Sequence, residues 1–86
     1  MLVNIGGEAV LRSREIIGVF DLQTVGESPV TKEFLDLART EGTTVDLSGG
    51  NPKSLILTAD KVFLTTVSIG TIKKRAMKGG GLEDSE

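Results

Sequence analysis

Lys73, Lys74 and Arg75 stand side by side in the segment TIKKRAM, and Lys78 follows at once. Cations this dense can hold the phosphates of a nucleic acid, where each Lys or Arg displaces condensed counterions. They can equally be the solvated face of a short helix, whose C-terminal end favours positive charge. On a helix, Lys74, Arg75 and Lys78 point away from the apolar side formed by Ile69, Ile72 and Ala76, with Lys73 on the flank. Aromatic rings, which stack the bases of single strands, are not interleaved with these cations. Their absence argues against a single-stranded mode. Arg12 and Arg14 add two cations, on one face if their strand continues that far. A single copy offers few phosphate contacts, so useful affinity requires several copies side by side.

Other chemistry is thinly supplied. The chain has no His and no Cys, which removes the commonest general base, the most reactive nucleophile and the usual zinc ligands. Asp21, Asp46 and Asp60 lie near strand ends, but no spacing marks a carboxylate dyad or a metal site, and turn acids are the plainer reading. DLSGGN (46–51) lacks the alternating acids and distal Glu of a calcium loop. GGNPKS (49–54) has the glycines and the Lys-Ser pair of a phosphate loop, but neither its spacing nor the helix that should follow. What remains is a β-connection in which Lys53 can meet a backbone phosphate. The expectation is a non-enzyme with no cofactor and no metal.

The elements that must position these residues read as βββ-α-βββ-α, an α+β domain. MLVNIGGEAVLR suggests strands over 2–5 and 8–12 joined by Gly6-Gly7. EIIGVFDL (15–22), apolar on both faces, predicts a central strand, with a short helix starting at Ser13 as the alternative. QTVGESP is a loop. Ser28-Pro29 opens an amphipathic helix over 29–41, and Gly42 closes it as the C′ residue. Val30, Phe34, Leu37 and Ala38 make its apolar stripe, while Lys32, Asp36 and Arg39 can pair on the other side. TTVDL (43–47), SLILT (54–58) and VFLTTV (62–67) are three more strands, the last two joined through Ala59-Asp60-Lys61. Ser68 can cap a short C-terminal helix over 69–78, ended by Gly79–Gly81. All strands are expected in one sheet family, with the 29–41 helix packed on it through Phe34 and Leu37.

The chain has 86 residues and a net charge of −2. Glu83, Asp84 and Glu86 lie in the tail, which leaves residues 1–78 with ten cations against nine acids. The expected organisation is one domain over 1–78 and a disordered, Gly-rich acidic tail over 79–86. A chain this short, with an aliphatic core and neither disulfide nor metal, is expected to self-associate. No segment approaches the ~20 apolar residues of a membrane span. The N-terminus does not read as a signal peptide, and the absence of Cys suits a reducing compartment.

VNIGGEAVLRSREIIGVFDL, SPVTKEFL, GNPKSLILT and IGTIKKRA, in this order, resemble the RemB (YaaB-type) branch of the bacterial extracellular-matrix regulatory family, which also holds RemA. The similarity runs over about residues 1–77, and none of its segments is a catalytic motif. The resemblance implies a small cytoplasmic protein of Gram-positive-type bacteria. It further implies, from the RemA branch, a DNA-binding transcriptional activator of biofilm-matrix genes that assembles into rings. The RemA branch's DNA contacts use an arginine in the segment matching Ser13-Arg14-Glu15 and a basic pair in the segment matching GGNPK. Arg14 matches, but Asn51-Pro52 stands where the pair would be, with Lys53 beside it. The resulting expectation is a homo-oligomeric DNA-associated regulator with Arg12, Arg14, Lys53, Lys73, Lys74 and Arg75 as its DNA-binding residues. Among these, Arg14 and Lys53 rank as the primary contacts. The alternative is an oligomeric protein-interaction module that does not bind DNA.

Overall fold

Gly7 and Glu8 turn the chain between two antiparallel strands, β1 (Leu2–Gly6) and β2 (Ala9–Arg12), in a computed structural model that describes residues 2–82. The turn thus sits one residue later than Gly6-Gly7 suggested. Gly6 pairs with Ala9 across an irregular register, and its φ of +143° with Gly7 at +55° explains the glycine pair.

Beyond Arg12 the strand expected over 15–22 forms only from Gly18 to Asp21. Ser13–Glu15 curls into a 3-10 turn, with Glu15 Oε1 accepting the Arg12 N–H at 2.9 Å. The alternative of a helical start at Ser13 is therefore the nearer one. Strand β3 (Gly18–Asp21) follows, and Asp21 then caps a four-residue helix α1 (Leu22–Val25) by accepting the Gln23 N–H at 2.9 Å. The expected loop after residue 22 contains this helix.

Helix α2 (Pro29–Thr40) opens on Pro29 without a side-chain bond from Ser28, and it closes on Gly42 at φ +73°. Thr43 N–H reaches the Ala38 carbonyl (3.0 Å) and Gly42 N–H the Arg39 carbonyl (3.1 Å). These are the two bonds of a Schellman motif. On its outer surface Lys32 pairs with Glu27 at 3.2 Å rather than with Asp36.

The remaining strands are β4 (Thr44–Asp46), β5 (Ser54–Leu57) and β6 (Val62–Thr65), and helix α3 (Ile69–Leu82) ends the described chain. Its backbone runs past residue 78, so Gly79–Gly81 do not stop it. Residues 83–86 of the expected disordered tail lie outside the described residues.

The strands divide into two sheets instead of one family. The β1-β2 hairpin stands apart from a four-stranded sheet of order β3-β5-β6-β4, in which only β4 and β6 run parallel. Strand β3 is consequently an edge and not a centre. Its flanking Ile17 remains 65% exposed, so the apolar run there does not report burial on both faces. The central strands β5 and β6 are the two-faced ones, as their β-branched and aliphatic runs require.

Three layers result. On one face of the sheet, Ile56 joins Val3 and Ile5 of the hairpin and Ile72 of α3, with Val19 and Phe63 packed against them. On the other face, Leu55, Val62 and Leu64 meet Ala38, with Leu22, Leu35 and Leu57 beside them. Helix α2 therefore lands on the sheet through Leu35 and Ala38, one turn apart, where the small Ala38 allows close approach. Phe34 and Leu37, expected to anchor it, are 39% and 56% exposed. With Val30 they form an apolar stripe beside a groove of about 340 Å³, lined also by Phe20, Val25 and Leu55.

Candidate nucleic-acid interface

The register of β3 against β5 fixes where the cations fall. Gly18 pairs with Leu57 and Asp21 with Ser54, and Ile17 N–H donates to the Leu57 carbonyl at 2.7 Å. The segment before β3, with Arg14, therefore lies at the end of the sheet where β5 turns into β6, while Arg12 ends β2 in the separate hairpin. Lys53 lies at the other end, beside Leu22, whose N–H donates to the Lys53 carbonyl at 2.9 Å. Four strand residues, with three rises of ~3.3 Å or ~10 Å between the first and the last, separate the two ends. The two primary cations of the sequence reading are thus not brought together within one copy.

Lys53 is further restricted by its backbone. Its N–H donates to the Thr65 carbonyl at 2.8 Å, so it offers a phosphate its side chain alone. The preceding connection is ordered by Asp46, which accepts from the N–H of Ser48 (2.8 Å) and from its hydroxyl, while Ser48 Oγ accepts from Gly50 N–H (3.3 Å). The Ser48 side-chain bond, chiefly, holds the Asp46 carboxyl below the usual carboxylate range.

At the other end, Arg14 lines a groove of about 540 Å³ together with Lys61 from the β5–β6 turn. Sequence reading missed Lys61. It saw Ala59-Asp60-Lys61 as a turn, but only the β3–β5 register places that turn next to Arg14. Glu15 and Asp60 line the same groove.

The cations of α3 divide by role. Lys73, Lys74 and Arg75 are all exposed, yet Arg75 Nη1 donates to the Asn4 carbonyl at 2.9 Å and to Asn4 Oδ1 at 3.3 Å. Asn4 in turn shapes the hairpin, accepting from Gly6 N–H (3.0 Å) and donating to the Gly7 carbonyl (3.0 Å). Arg75 thus fastens α3 to β1, while Lys73 and Lys74 have no such bond. Among the described residues the one ion pair within 4 Å is Lys32–Glu27, so Arg12, Arg14, Lys53, Lys61, Lys73 and Lys74 are not neutralised by close acids there.

Asp21, Asp46 and Asp60 serve local structure at strand ends and turns. Asp21 caps α1, Asp46 orders the loop after β4, and Asp60 Oδ1 lies 3.2 Å from the Thr58 hydroxyl. Asp21 and Asp46 end strands on opposite edges of the sheet, three spacings or ~14 Å apart. Among the described residues no group of three or more acids could hold a metal ion. No described helix is long and apolar enough to cross a membrane.

A family model described as extracellular matrix regulatory protein A-like matches residues 2–76. Extracellular matrix regulatory protein B of Bacillus subtilis (strain 168) is 33% identical over 76 residues, covering 88% of this chain and 90% of that protein. The match takes in every strand, α2, and α3 as far as Ala76. The chain belongs to the RemA-like family of extracellular matrix regulatory proteins.

Proposed function

We propose that this protein is a cytoplasmic, homo-oligomeric regulator of biofilm-matrix genes that acts on duplex DNA through its backbone phosphates. The regulatory role follows the family name. The observation that carries DNA contact is the set of exposed cations that form no ion pair within 4 Å among the described residues: Arg14 and Lys61 at one end of the sheet, Lys53 at the other, and Arg12 at the end of the hairpin. One copy with cations at two ends makes few contacts, whereas copies side by side repeat them and gain strength through multivalency. Self-association is supported by the apolar stripe of Val30, Phe34 and Leu37, which a lone copy leaves in water.

That same stripe, together with Asn51-Pro52 in the loop before β5, favours a second reading, an assembly module that binds protein alone. Native mass spectrometry of the chain, with and without a duplex, separates the two because it reports stoichiometry and binding at once. Mobility shift at two salt concentrations then ranks the cations, comparing Arg14→Ala, Lys53→Ala and a Lys73/Lys74 double alanine variant. Arg75 is kept in that comparison, since its loss would also remove the bonds it makes to Asn4 of the hairpin. Salt-sensitive binding weakened by Arg14→Ala is expected. An oligomer that leaves duplex DNA unshifted at low salt would move the protein to the second reading.

A further inference from the structure

Lys61 carries no motif, and its importance arises from its neighbours. It shares a groove with Arg14 over an apolar floor that includes Leu11, Ile17 and Phe63. Its own backbone is fixed. Thr58 N–H donates to the Lys61 carbonyl and Lys61 N–H donates to Thr58 Oγ1, both at 3.0 Å, and Thr58 is buried. The turn therefore holds the Lys61 Cα in place while its exposed ammonium can move to an incoming anion.

The groove also contains two carboxylates, and each is engaged by its own turn. Glu15 Oε1 accepts the Arg12 N–H at 2.9 Å. Asp60 Oδ1 lies 3.2 Å from the Thr58 hydroxyl, whose single proton it shares with the Lys61 carbonyl at 3.1 Å. Neither acid comes within 4 Å of either cation. Arg14 and Lys61 thus face one opening without being paired across it, and an external anion that enters is attracted by both, against the opposing charges of Glu15 and Asp60. A phosphate oxygen suits this arrangement, because a guanidinium fork and a mobile ammonium can hold two of its oxygens together.

We propose that Lys61 and Arg14 jointly bind a backbone phosphate of duplex DNA, and that this end of the sheet is the stronger phosphate contact of each copy. The proposal rests on the DNA reading above. Lys53, alone at the other end and with its N–H already used, offers less.

The test is fluorescence anisotropy of two unrelated mixed-sequence duplexes at low and raised salt, with the full chain and its Lys61→Gln, Asp60→Asn and Lys32→Gln variants. Lys61→Gln should weaken binding several-fold on both duplexes alike and make the salt dependence shallower by about 1 in logarithmic slope, as expected for loss of a phosphate contact. Asp60→Asn, which keeps an oxygen for Thr58 but removes the charge, should tighten binding. Lys32→Gln changes the net charge as Lys61→Gln does, but it lies on α2 beside Glu27 and should leave affinity near that of the parent. Melting curves confirm that Lys61→Gln stays folded, since only the backbone of Lys61 supports the turn. If Lys61→Gln and Lys32→Gln behave alike while the parent binds, the proposed pair is wrong and the DNA reading stands. Parent chain that binds neither duplex at low salt overturns both.

Discussion

Replacing Phe34 by alanine probes both the core and the assembly. Phe→Ala changes at fully buried sites cost ~3–5 kcal/mol. Phe34 is 39% exposed in the single copy, so scaling that cost by the fraction out of water gives ~2–3 kcal/mol. The ring lines the groove beside α2 with Phe20 and Leu55, so most of this loss is contact with the sheet. If a neighbouring copy also covers the stripe, the remaining surface is buried in the assembly, and the cost rises with protein concentration. Urea denaturation at two protein concentrations, with light scattering at each, separates the contributions. The parent should show a midpoint that rises with concentration, and Phe34→Ala should lower it most at the higher concentration while shifting the mass toward monomer. A loss below ~1 kcal/mol at high dilution would mean that the ring does not pack on the sheet. An unchanged mass with a concentration-independent midpoint would remove Phe34 from any interface.

Three further outcomes follow from the geometry. A Cβ on Gly6 would sit 2.6 Å from Thr65 Oγ1 at φ +143°, so Gly6→Ala should cost ~1–3 kcal/mol in urea denaturation, and a neutral result would mean that the hairpin end does not dock on β6. Arg75→Ala should loosen the hairpin against α3 without undocking the buried Val3, Ile5 and Ile72, costing ~1 kcal/mol for an exposed charge-assisted bond and speeding amide hydrogen exchange in Leu2–Arg12; unchanged exchange would refute the clasp. Because the Asp46 carboxyl is held low chiefly by Ser48, its contribution to stability is present above the usual carboxylate range and is lost as pH falls through the folded value. Asp46→Asn should accordingly lose less melting temperature on acidification than the parent, and equal losses would show that this loop does not contribute.

Which segments would be helix or strand was largely readable from local chemistry. Pro29 and Gly42 act through their own backbone angles, so α2 was bounded to within a residue. Val, Ile, Leu and Thr in 54–57 and 62–65 fit a pleated surface whatever the neighbours, so β5 and β6 were also clear. The Ser13–Glu15 turn was harder, because its apolar sequel EIIGVF carries no mark distinguishing an edge from a centre. Family membership was legible as well, since it resides in ordered segments of residue identities.

What the sequence by itself determined was therefore the set of elements, the supply of cations and the absence of His and Cys. The tertiary structure alone decided how they meet. The stripe on α2 was visible, but which part of it faces the sheet depends on how closely Ala38 allows the helix to approach, so Phe34 and Leu37 ended at the surface. The hairpin could have extended the main sheet or stood apart; Gly6 against Thr65 and Asn4 bound by Arg75 place it apart. Arg14, Lys53 and Lys61 are equal as letters. The antiparallel register of β3 on β5 sends Lys53 to one end and joins Arg14 with Lys61 at the other, because side-chain proximity across a sheet is set by pairing between distant strands and not by distance along the chain.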